Sequence, residues 1–488
     1  MTETKNQNIR VRFPPSPTGF LHVGNARTAL FNYLFAKKYG GKFVLRIEDT
    51  DIERSKKEFE EDIIVGLKWL GIEWDEGVGA DGPHAPYHQS ERTEIYKKYL
   101  NRLIENGNAY YCFCSSDELE AQKNYLMSQG LPPKYSGKCA SIKKETALER
   151  VAKGDPHIIR LKVPEKKVVF EDLIKGKIEF DSSLMGDIPI AKDIDSPLYN
   201  FAVVVDDEEM KITHVIRGED HISNTPKQII IQEMLGFNTP IYGHLPLLLG
   251  MDKSKLSKRH GALSVTDYKK MGYLPTALVN FIAMLGWNPG SDHELFSLAD
   301  LEKEFDIKKV NTSGAVFNVQ KLDWFNVQYI KQTPSDELAR MCLPYLREVG
   351  FTDEKTDMKW IEKIVTLEKE RIKKLSDIAP LIDFFFVLPD YPAELLVWAK
   401  SDKPRILENL KASQKELENL PTDQFSADNI KNIFSKIAER SSNGEVYWPA
   451  RVALSGKAAS LGPLEIADAL GKEKTMERIT LAIKKLEL

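Results

Sequence analysis

Ile9, Val11 and Phe13 alternate with polar residues, Leu30, Phe31, Leu34 and Phe35 share one side of a helical run from Ala26 to Lys38, and Lys42 to Ile47 alternates again. The chain therefore opens as strand, helix, strand. Pro14, Pro15, Pro17 and Gly19 force a turn before the helix, and Gly40-Gly41 breaks the pattern after it. Helical spacing returns over Ser55 to Leu70 and, with Ile95, Tyr99 and Leu103, over Glu91 to Glu105, where Gly107 stops it. Between about 111 and 190 the character changes to a Lys/Glu-rich helix near Lys143 to Lys153 and short strands at His157 to Val163, Val168 to Glu171 and Lys177 to Asp181. The unbroken apolar run Phe201 to Val205 predicts a strand covered on both faces of a parallel sheet, and Ile212 to Arg217 predicts another, ahead of a helix from Thr225 to Leu235. Short helices, including Leu274 to Leu285, lead to about Phe325. From Asn326 strand patterns disappear, and helices such as Asp336 to Glu348, Met358 to Leu375, Lys403 to Leu420 and Ile466 to Leu486 carry Lys/Arg faces without a repeat period.

At 488 residues the chain is too long for one core, and several modules are expected. Hydrophobic content of 42% and charged content of 29% are those of an ordinary globular protein. No apolar run approaches the ~20 residues that span a bilayer, and Met1-Thr2-Glu3-Thr4-Lys5 lacks a signal core, so a cytoplasmic protein with no membrane contact is expected. Four cysteines do not make a disulfide framework at this length. A net charge of -4 leaves nucleic-acid binding open, because that binding depends on local basic faces.

A strand, a tight turn and a helix start form a seat for phosphate, since the first helical turn carries unpaired N–H groups and partial positive charge. His22 lies at its mouth, and Gly24 lacks the β-carbon that would keep a flat base away. Glu48-Asp49-Thr50-Asp51 follows a strand, where open α/β sheets bind ligands. Gly250 to Gly261 is a small, basic loop. Cys112, Cys114 and Cys139 supply three thiolates to a zinc ion in a structural site, with the fourth ligand from Tyr135 or from the position of Ser141.

His22-Val23-Gly24-Asn25 resembles the His-Ile-Gly-His signature of class I aminoacyl-tRNA synthetases, with Asn25 replacing the final His. Lys255-Leu256-Ser257-Lys258-Arg259 resembles their Lys-Met-Ser-Lys-Ser signature. The flanks, Pro-Ser-Pro-Thr-Gly before the first and Ala-Arg-Thr-Ala-Leu-Phe-Asn-Tyr after it, are similar to the bacterial glutamyl branch. The resemblance implies ATP between the two loops, with His22, Asn25, Lys255 and Lys258 as the catalytic set and Pro15, Gly24, Glu219, Leu248, Ser257 and Arg259 completing the nucleotide contacts. It assigns glutamate to Arg12, Ser16, Glu48, Tyr199 and Arg217. Arg12 suits the side-chain carboxylate because a guanidinium offers only donors, and Arg217 suits either carboxylate. Mg²⁺ is expected to arrive with the nucleotide rather than in a protein cage. Tyr447 to Gly456 resembles the anticodon-end motif, which points to Trp448 and Arg451.

The implied architecture is multi-domain. A Rossmann-like α/β catalytic domain spans 1–110 and 191–248, interrupted by an α+β module at 111–190 for the tRNA acceptor end; a stem-contact region with the lysine loop spans 249–325, and an all-α anticodon-binding domain 326–488. The implied activity is ATP-dependent activation of glutamate and its transfer to the 3′ end of tRNA(Glu), by a monomer. The alternatives are a tRNA-modifying glutamyl transferase, against which the long helical carboxyl half argues, a small-molecule nucleotidyltransferase, which would lack the late lysine loop, and a non-catalytic tRNA-binding protein, which would be expected to have lost His22 or Lys258. Whether tRNA(Gln) is also charged stays open.

Overall fold

The computed structural model describes residues 8–256 and 263–488. Strand β1 (Arg10–Phe13), helix α1 (Val23–Lys38) and strand β2 (Lys42–Leu45) realise the opening pattern, and β2 lies parallel to β1 with Arg12 opposite Val44. Helix α2 (Lys57–Trp69) leads to β3 (Glu76–Gly77), which extends the sheet beyond β2, and α3 (Thr93–Glu105) follows. The chain then leaves through β4 (Ala109–Cys112), α4 (Ser116–Ser128), α5 (Lys144–Ala152), β5 (Ile158–Leu161), the hairpin β6 (Lys167–Asp172) and β7 (Gly176–Asp181), β8 (Ile188–Asp193) and β9 (Ser196–Pro197).

The inserted strands serve two sheets. β4, β5, β8 and β9 form an antiparallel sheet of their own, which begins two residues before 111 and ends at Pro197. The β6–β7 hairpin instead joins the catalytic sheet, where β10 (His214–Gly218) and β11 (Ile241–Leu245) run parallel and Tyr242 pairs with Asp172. Thr213 donates its N–H to the Arg10 carbonyl at 3.0 Å, which brings β10 alongside β1.

One expectation fails. Phe201 to Val205 is not a strand but the middle of helix α6 (Tyr199–Glu209). A short apolar run buried on all sides carries no periodicity to tell helix from strand, and here burial overrides the strand preference of three consecutive valines. Helix α7 (Thr225–Leu235) ends at Gly236, whose φ of 67° supplies the left-handed cap. The hydrophobic core runs from α3 and β5 through Phe201 to Val205 to Ile229, Ile230 and Ile231.

Strand β12 (Leu248–Leu249) leads into the lysine loop, and α8 (Val265–Lys270), α9 (Pro275–Met284), α10 (Leu298–Glu304) and β13 (Ala315–Val316), which pairs with β12, follow it. The chain divides into two compact units, one running through Lys269 and taking in Pro275–Leu322, the other made of Lys270–Leu274 and Asp323–Leu488. Most of 249–325 thus belongs to the first unit. The second is helical: α11 (Val319–Gln332) enters it, and α12 (Ser335–Glu348), α13 (Met358–Glu368), α14 (Ile378–Phe386), α15 (Lys403–Asn419), α16 (Ala427–Ala438), α17 (Asn443–Ser455) and α18 (Pro463–Glu487) follow. α13 stops seven residues short of Leu375, and α18 breaks at Gly471 (φ 76°, ψ 172°). No helix among the described residues is long and apolar enough to cross a membrane.

Candidate active site

His22 is the N-cap of α1. Its Nδ1 accepts the backbone N–H groups of Gly24 at 3.1 Å and Asn25 at 3.3 Å, so Nε2 holds the ring proton and remains the donor to a ligand. A Cβ at position 24 would come within 3.1 Å of the imidazole, so the glycine also keeps room for this cap. Solvent reaches the ring, yet the protein crowding its other sides, and then the Lys255 ammonium, push its pKa below the ordinary imidazole value. The backbone here also meets the chain after the lysine loop: His22 forms an antiparallel bridge with Ser264, and Val265 donates its N–H to the Leu21 carbonyl at 2.8 Å. The ascending end is held as well, since Leu256 donates to the Leu248 carbonyl at 2.9 Å. Lys255 therefore stands beside the first loop, whereas Ser257, Lys258 and Arg259 lie outside the described residues.

Leu248 is buried in β12. Glu219 accepts the Leu247 N–H at 2.9 Å through Oε1 and pairs with Lys175 through Oε2. Pro15 is buried and its carbonyl receives the Glu48 N–H at 3.0 Å, while Ser16 is exposed.

Arg12, Glu48, Tyr199 and Arg217 come together at the carboxyl ends of β1, β2 and β10 and the start of α6. Arg12 is 1% exposed and pairs with Asp207, with Nε 3.2 Å from Oδ1 and Nη2 3.3 Å from Oδ2. Arg46 holds the other side of Asp207 at 2.9 Å and reaches Glu48 at 3.0 Å. Burial raises the Asp207 pKa, but the two guanidiniums outweigh it and leave the carboxyl below its usual range. For Glu48 burial wins and its pKa is raised, the state a ligand's ammonium would reverse. Arg217 donates Nη2–H to Thr225 Oγ1 at 2.8 Å and Nε–H to His244 Nε2 at 3.3 Å. Arg12 Nη1 and Arg217 Nη1 are both enclosed and find no hydrogen-bond partner among the described residues. Tyr199 feels the charge of both arginines and of Glu48, and its hydroxyl lies 3.1 Å from His221 Nδ1.

The resemblance gives Asp207 and Arg46 no role in the site. The adjacent acids Asp206-Asp207 directly after the apolar run Phe201 to Val205 were the available signal, hidden while that run read as a strand. Asp206 is itself held by Arg92 at 2.6 Å and Tyr96 at 2.8 Å.

In the inserted segment the sulfurs of Cys112, Cys114 and Cys139 all lie within 4.8 Å of one another. The Tyr135 hydroxyl is 3.3 Å from Cys112 Sγ and 3.4 Å from Cys114 Sγ, and accepts the Cys139 N–H at 3.0 Å. Burial raises the Cys112 pKa, but Tyr135 and the Arg160 guanidinium bring it below the usual thiol value, while burial pushes Cys114 up to about 11. Tetrahedral zinc with Zn–S near 2.3 Å needs sulfurs about 3.8 Å apart. The Cys114–Cys139 separation of 3.6 Å fits that spacing, and the Tyr135 hydroxyl faces the same group of sulfurs. Ser141 turns away, its hydroxyl 3.4 Å from the Lys138 carbonyl.

In the helical unit Trp448 is half-buried, donates Nε1–H to the Leu395 carbonyl at 2.8 Å and packs on Trp398 at 5.1 Å between ring centres. Arg451 is also half-buried, and its Nε is enclosed without a partner among the described residues.

Residues 8–324 match the family described as tRNA synthetases class I (E and Q), catalytic domain. The chain belongs to that class I synthetase family. Residues 337–483 of this synthetase match an anticodon binding domain. It is 45% identical over 483 residues to glutamate–tRNA ligase 1 of Caldicellulosiruptor saccharolyticus, covering 96% of this chain and 98% of that protein. It is 44% identical over 475 residues to the glutamate–tRNA ligase of a Sulfurihydrogenibium species, covering 96% and 98%. Its fold matches the crystal structure of a glutamate tRNA ligase from Elizabethkingia meningosepticum in complex with its amino acid, with a TM-score of 0.89 and 34% identity over 98% of this chain and all of that one. The synthetase is thus a class I catalytic domain joined to a helical anticodon-binding domain.

Proposed function

We propose that the chain is a glutamate–tRNA ligase that forms glutamyl-adenylate from ATP and glutamate and passes the glutamyl group to the 3′ end of tRNA(Glu). The observation that carries this reading is the pair of buried, unpartnered guanidinium nitrogens on Arg12 and Arg217 around Tyr199. A buried donor left unpaired costs about 1–3 kcal/mol, and a dicarboxylic amino acid relieves two at once. Arg12 takes the side-chain carboxylate, Arg217 a carboxylate, Glu48 the ammonium, and Tyr199 and Ser16 complete the contacts. A Gln amide would set its N–H₂ against Arg12 and is rejected.

The α-carboxylate is ionised at neutral pH, so its oxygen attacks the ATP α-phosphorus without a general base, and the bond to pyrophosphate breaks. His22 Nε2–H, Lys255 and Lys258 stabilise the charge that grows on the transferring and departing phosphates. Pro15, Gly24, Asn25, Glu219, Leu248, Ser257 and Arg259 hold the nucleotide, and Mg²⁺ arriving with it would supply further charge neutralisation. The terminal ribose hydroxyl of tRNA then attacks the acyl carbonyl and AMP leaves. Cys112, Cys114, Tyr135 and Cys139 hold a structural zinc ion, and Arg451 meets anticodon bases beside a packed Trp448. The enzyme works in the cytoplasm as a monomer.

Glutamate-dependent ATP–pyrophosphate exchange, with and without tRNA(Glu), tests the activity: exchange is expected with tRNA, and none under either condition sinks the reading. Metal analysis is expected to give one zinc per chain, whereas less than half an equivalent would mean free thiols.

A further inference from the structure

The β6–β7 turn of the inserted segment reaches both substrate seats, through Asp172 to the amino-acid side and through Lys175 to the nucleotide side. Asp172 and His244 bury their side chains completely. Asp172 Oδ1 accepts the N–H groups of Ile174 at 2.9 Å, Lys175 at 2.8 Å and His244 at 3.2 Å, and Oδ2 lies 2.6 Å from His244 Nδ1. Four donors on one carboxylate keep it ionised and acceptor-only, so the imidazole proton sits on Nδ1. His244 Nε2 is then an acceptor, and it receives Arg217 Nε–H at 3.3 Å and lies 3.0 Å from Thr225 Oγ1. Burial lowers the His244 pKa, which agrees with a neutral ring; a protonated one would set N–H against N–H beside the Arg217 charge. With Nε on His244, Nη2 on Thr225 and the Tyr242 ring beneath its face at 5.5 Å, Arg217 has one orientation, and that orientation leaves Nη1 open.

Three residues along the same turn, Lys175 pairs with Glu219 and donates to the Thr312 carbonyl at 2.5 Å. Glu219 thereby keeps its other oxygen on the Leu247 N–H, next to Leu248.

We propose that Asp172 and His244 are positioning residues for the amino acid and Lys175 a positioning residue for the nucleotide, so that one inserted turn aligns both substrates for the adenylation step. The proposal rests on the ligase reading above. None of the three need touch a substrate: Asp172 sets the tautomer of His244, His244 aims Arg217, and Lys175 holds Glu219.

The test is exchange kinetics in the presence of tRNA, with glutamate and ATP varied separately, alongside the melting shifts that each ligand alone gives the full chain. Asp172→Asn should raise the glutamate KM at least tenfold and the ATP KM less than twofold, and should lose the glutamate-induced melting shift while keeping the ATP-induced one. His244→Gln offers a donor to Asp172 and an acceptor to Arg217 and should stay within threefold of the parent, whereas His244→Leu should match Asp172→Asn. Lys175→Met should raise the ATP KM at least fivefold and move the glutamate KM less than twofold. Equal shifts in both KM values, or His244→Gln as impaired as His244→Leu, would show a merely structural role and overturn the proposal. If a buried variant fails to melt cooperatively, Lys175→Met still decides, because its ammonium is partly open to solvent; an unchanged ATP KM there overturns the shared-turn claim. A parent chain that binds glutamate in the melting assay yet performs no exchange would end the ligase reading, and the melting shifts would still judge the positioning one.

Discussion

Among the described residues, eleven Arg, Asp and Glu side chains are buried in the amino-terminal unit, against three in the helical unit, Glu368, Glu445 and Arg478. Those three are settled locally: Glu368 by Arg371 at 2.8 Å, Glu445 by Ser401 at 2.9 Å, and Arg478 by the Leu454 carbonyl. In the amino-terminal unit the same kind of group is interlocked, with Asp207 between Arg12 and Arg46 and Asp206 between Arg92 and Tyr96. The guanidiniums of Arg12, Arg27, Arg46, Arg160 and Arg217 each keep an enclosed nitrogen without a hydrogen-bond partner among the described residues, those of Arg12 and Arg217 beside Tyr199. Removing an ion from water costs several kcal/mol, and apolar packing fills a core more cheaply. The helical unit takes the cheaper solution. The other unit keeps a charged interior with unpartnered donors, two of which the proposed function gives to a dicarboxylic ligand.

The largest expected effect comes from opening that interior. Arg12→Ala leaves Asp207 with Arg46 alone and should cost about 3–5 kcal/mol of folding stability, read by urea denaturation. The lost hydrogen bond to a carboxylate is worth about 1.5–3 kcal/mol, so glutamate affinity by calorimetry should fall between about tenfold and about 150-fold. Loss of stability with glutamate affinity intact would make the network a core device and erase the contrast between the units.

The comparison also explains what could be read from the chain before its fold was known. In the helical unit one apolar stripe per helix decides the element, and α15 (Lys403–Asn419) departs from its predicted range by one residue. In the amino-terminal unit α7 was equally legible, because Gly236 marks its end. Phe201 to Val205 was not, because burial on every side removes the period, and with it went the meaning of Asp206 and Asp207. His22 and Lys255 were legible as motifs, but the cap that His22 makes on α1 was not. Asp172 and His244 stand 72 positions apart and touch only because β6 joins the sheet beside β11, a pairing no local pattern announces. That the Tyr135 hydroxyl rather than that of Ser141 faces the thiols likewise depends on which way a loop turns.

A smaller effect separates the units by pH. All nine histidines precede Asp323. Burial holds the His214 pKa down at about 4, against 6.5 for a free imidazole. Above pH 6.5 the folded and unfolded forms are both neutral and its contribution is complete; as pH falls from 6.5 towards 4 only the unfolded chain gains the proton, and stability is lost. The full span is worth up to about 3 kcal/mol at 1.36 kcal/mol per pKa unit. His214→Phe, which keeps a ring against Phe35, should flatten the stability profile between pH 6.5 and 4, and acid should loosen the amino-terminal unit first by hydrogen exchange. Simultaneous loosening of both units would show that carboxylates govern this range instead.

The smallest effect tests whether the helical unit has an idle group of its own. Trp448 has its indole N–H on the Leu395 carbonyl and its ring on Trp398, so its bonding is complete without a ligand, whereas Arg451 Nε is enclosed and unpartnered. If the proposed roles of Arg12 and Arg217 extend to the helical unit, Arg451 is expected to be the group that meets RNA and Trp448 the wall that holds it. Trp448→Phe should therefore cost about 1 kcal/mol of stability, the worth of one hydrogen bond, and change the tRNA KM less than twofold. Arg451→Ala should raise the tRNA KM several-fold with little change in melting temperature. If Trp448→Phe alone weakened tRNA, the idle-donor rule would hold only where charge is fully buried, in the amino-terminal unit, and the anticodon end would read its bases by stacking.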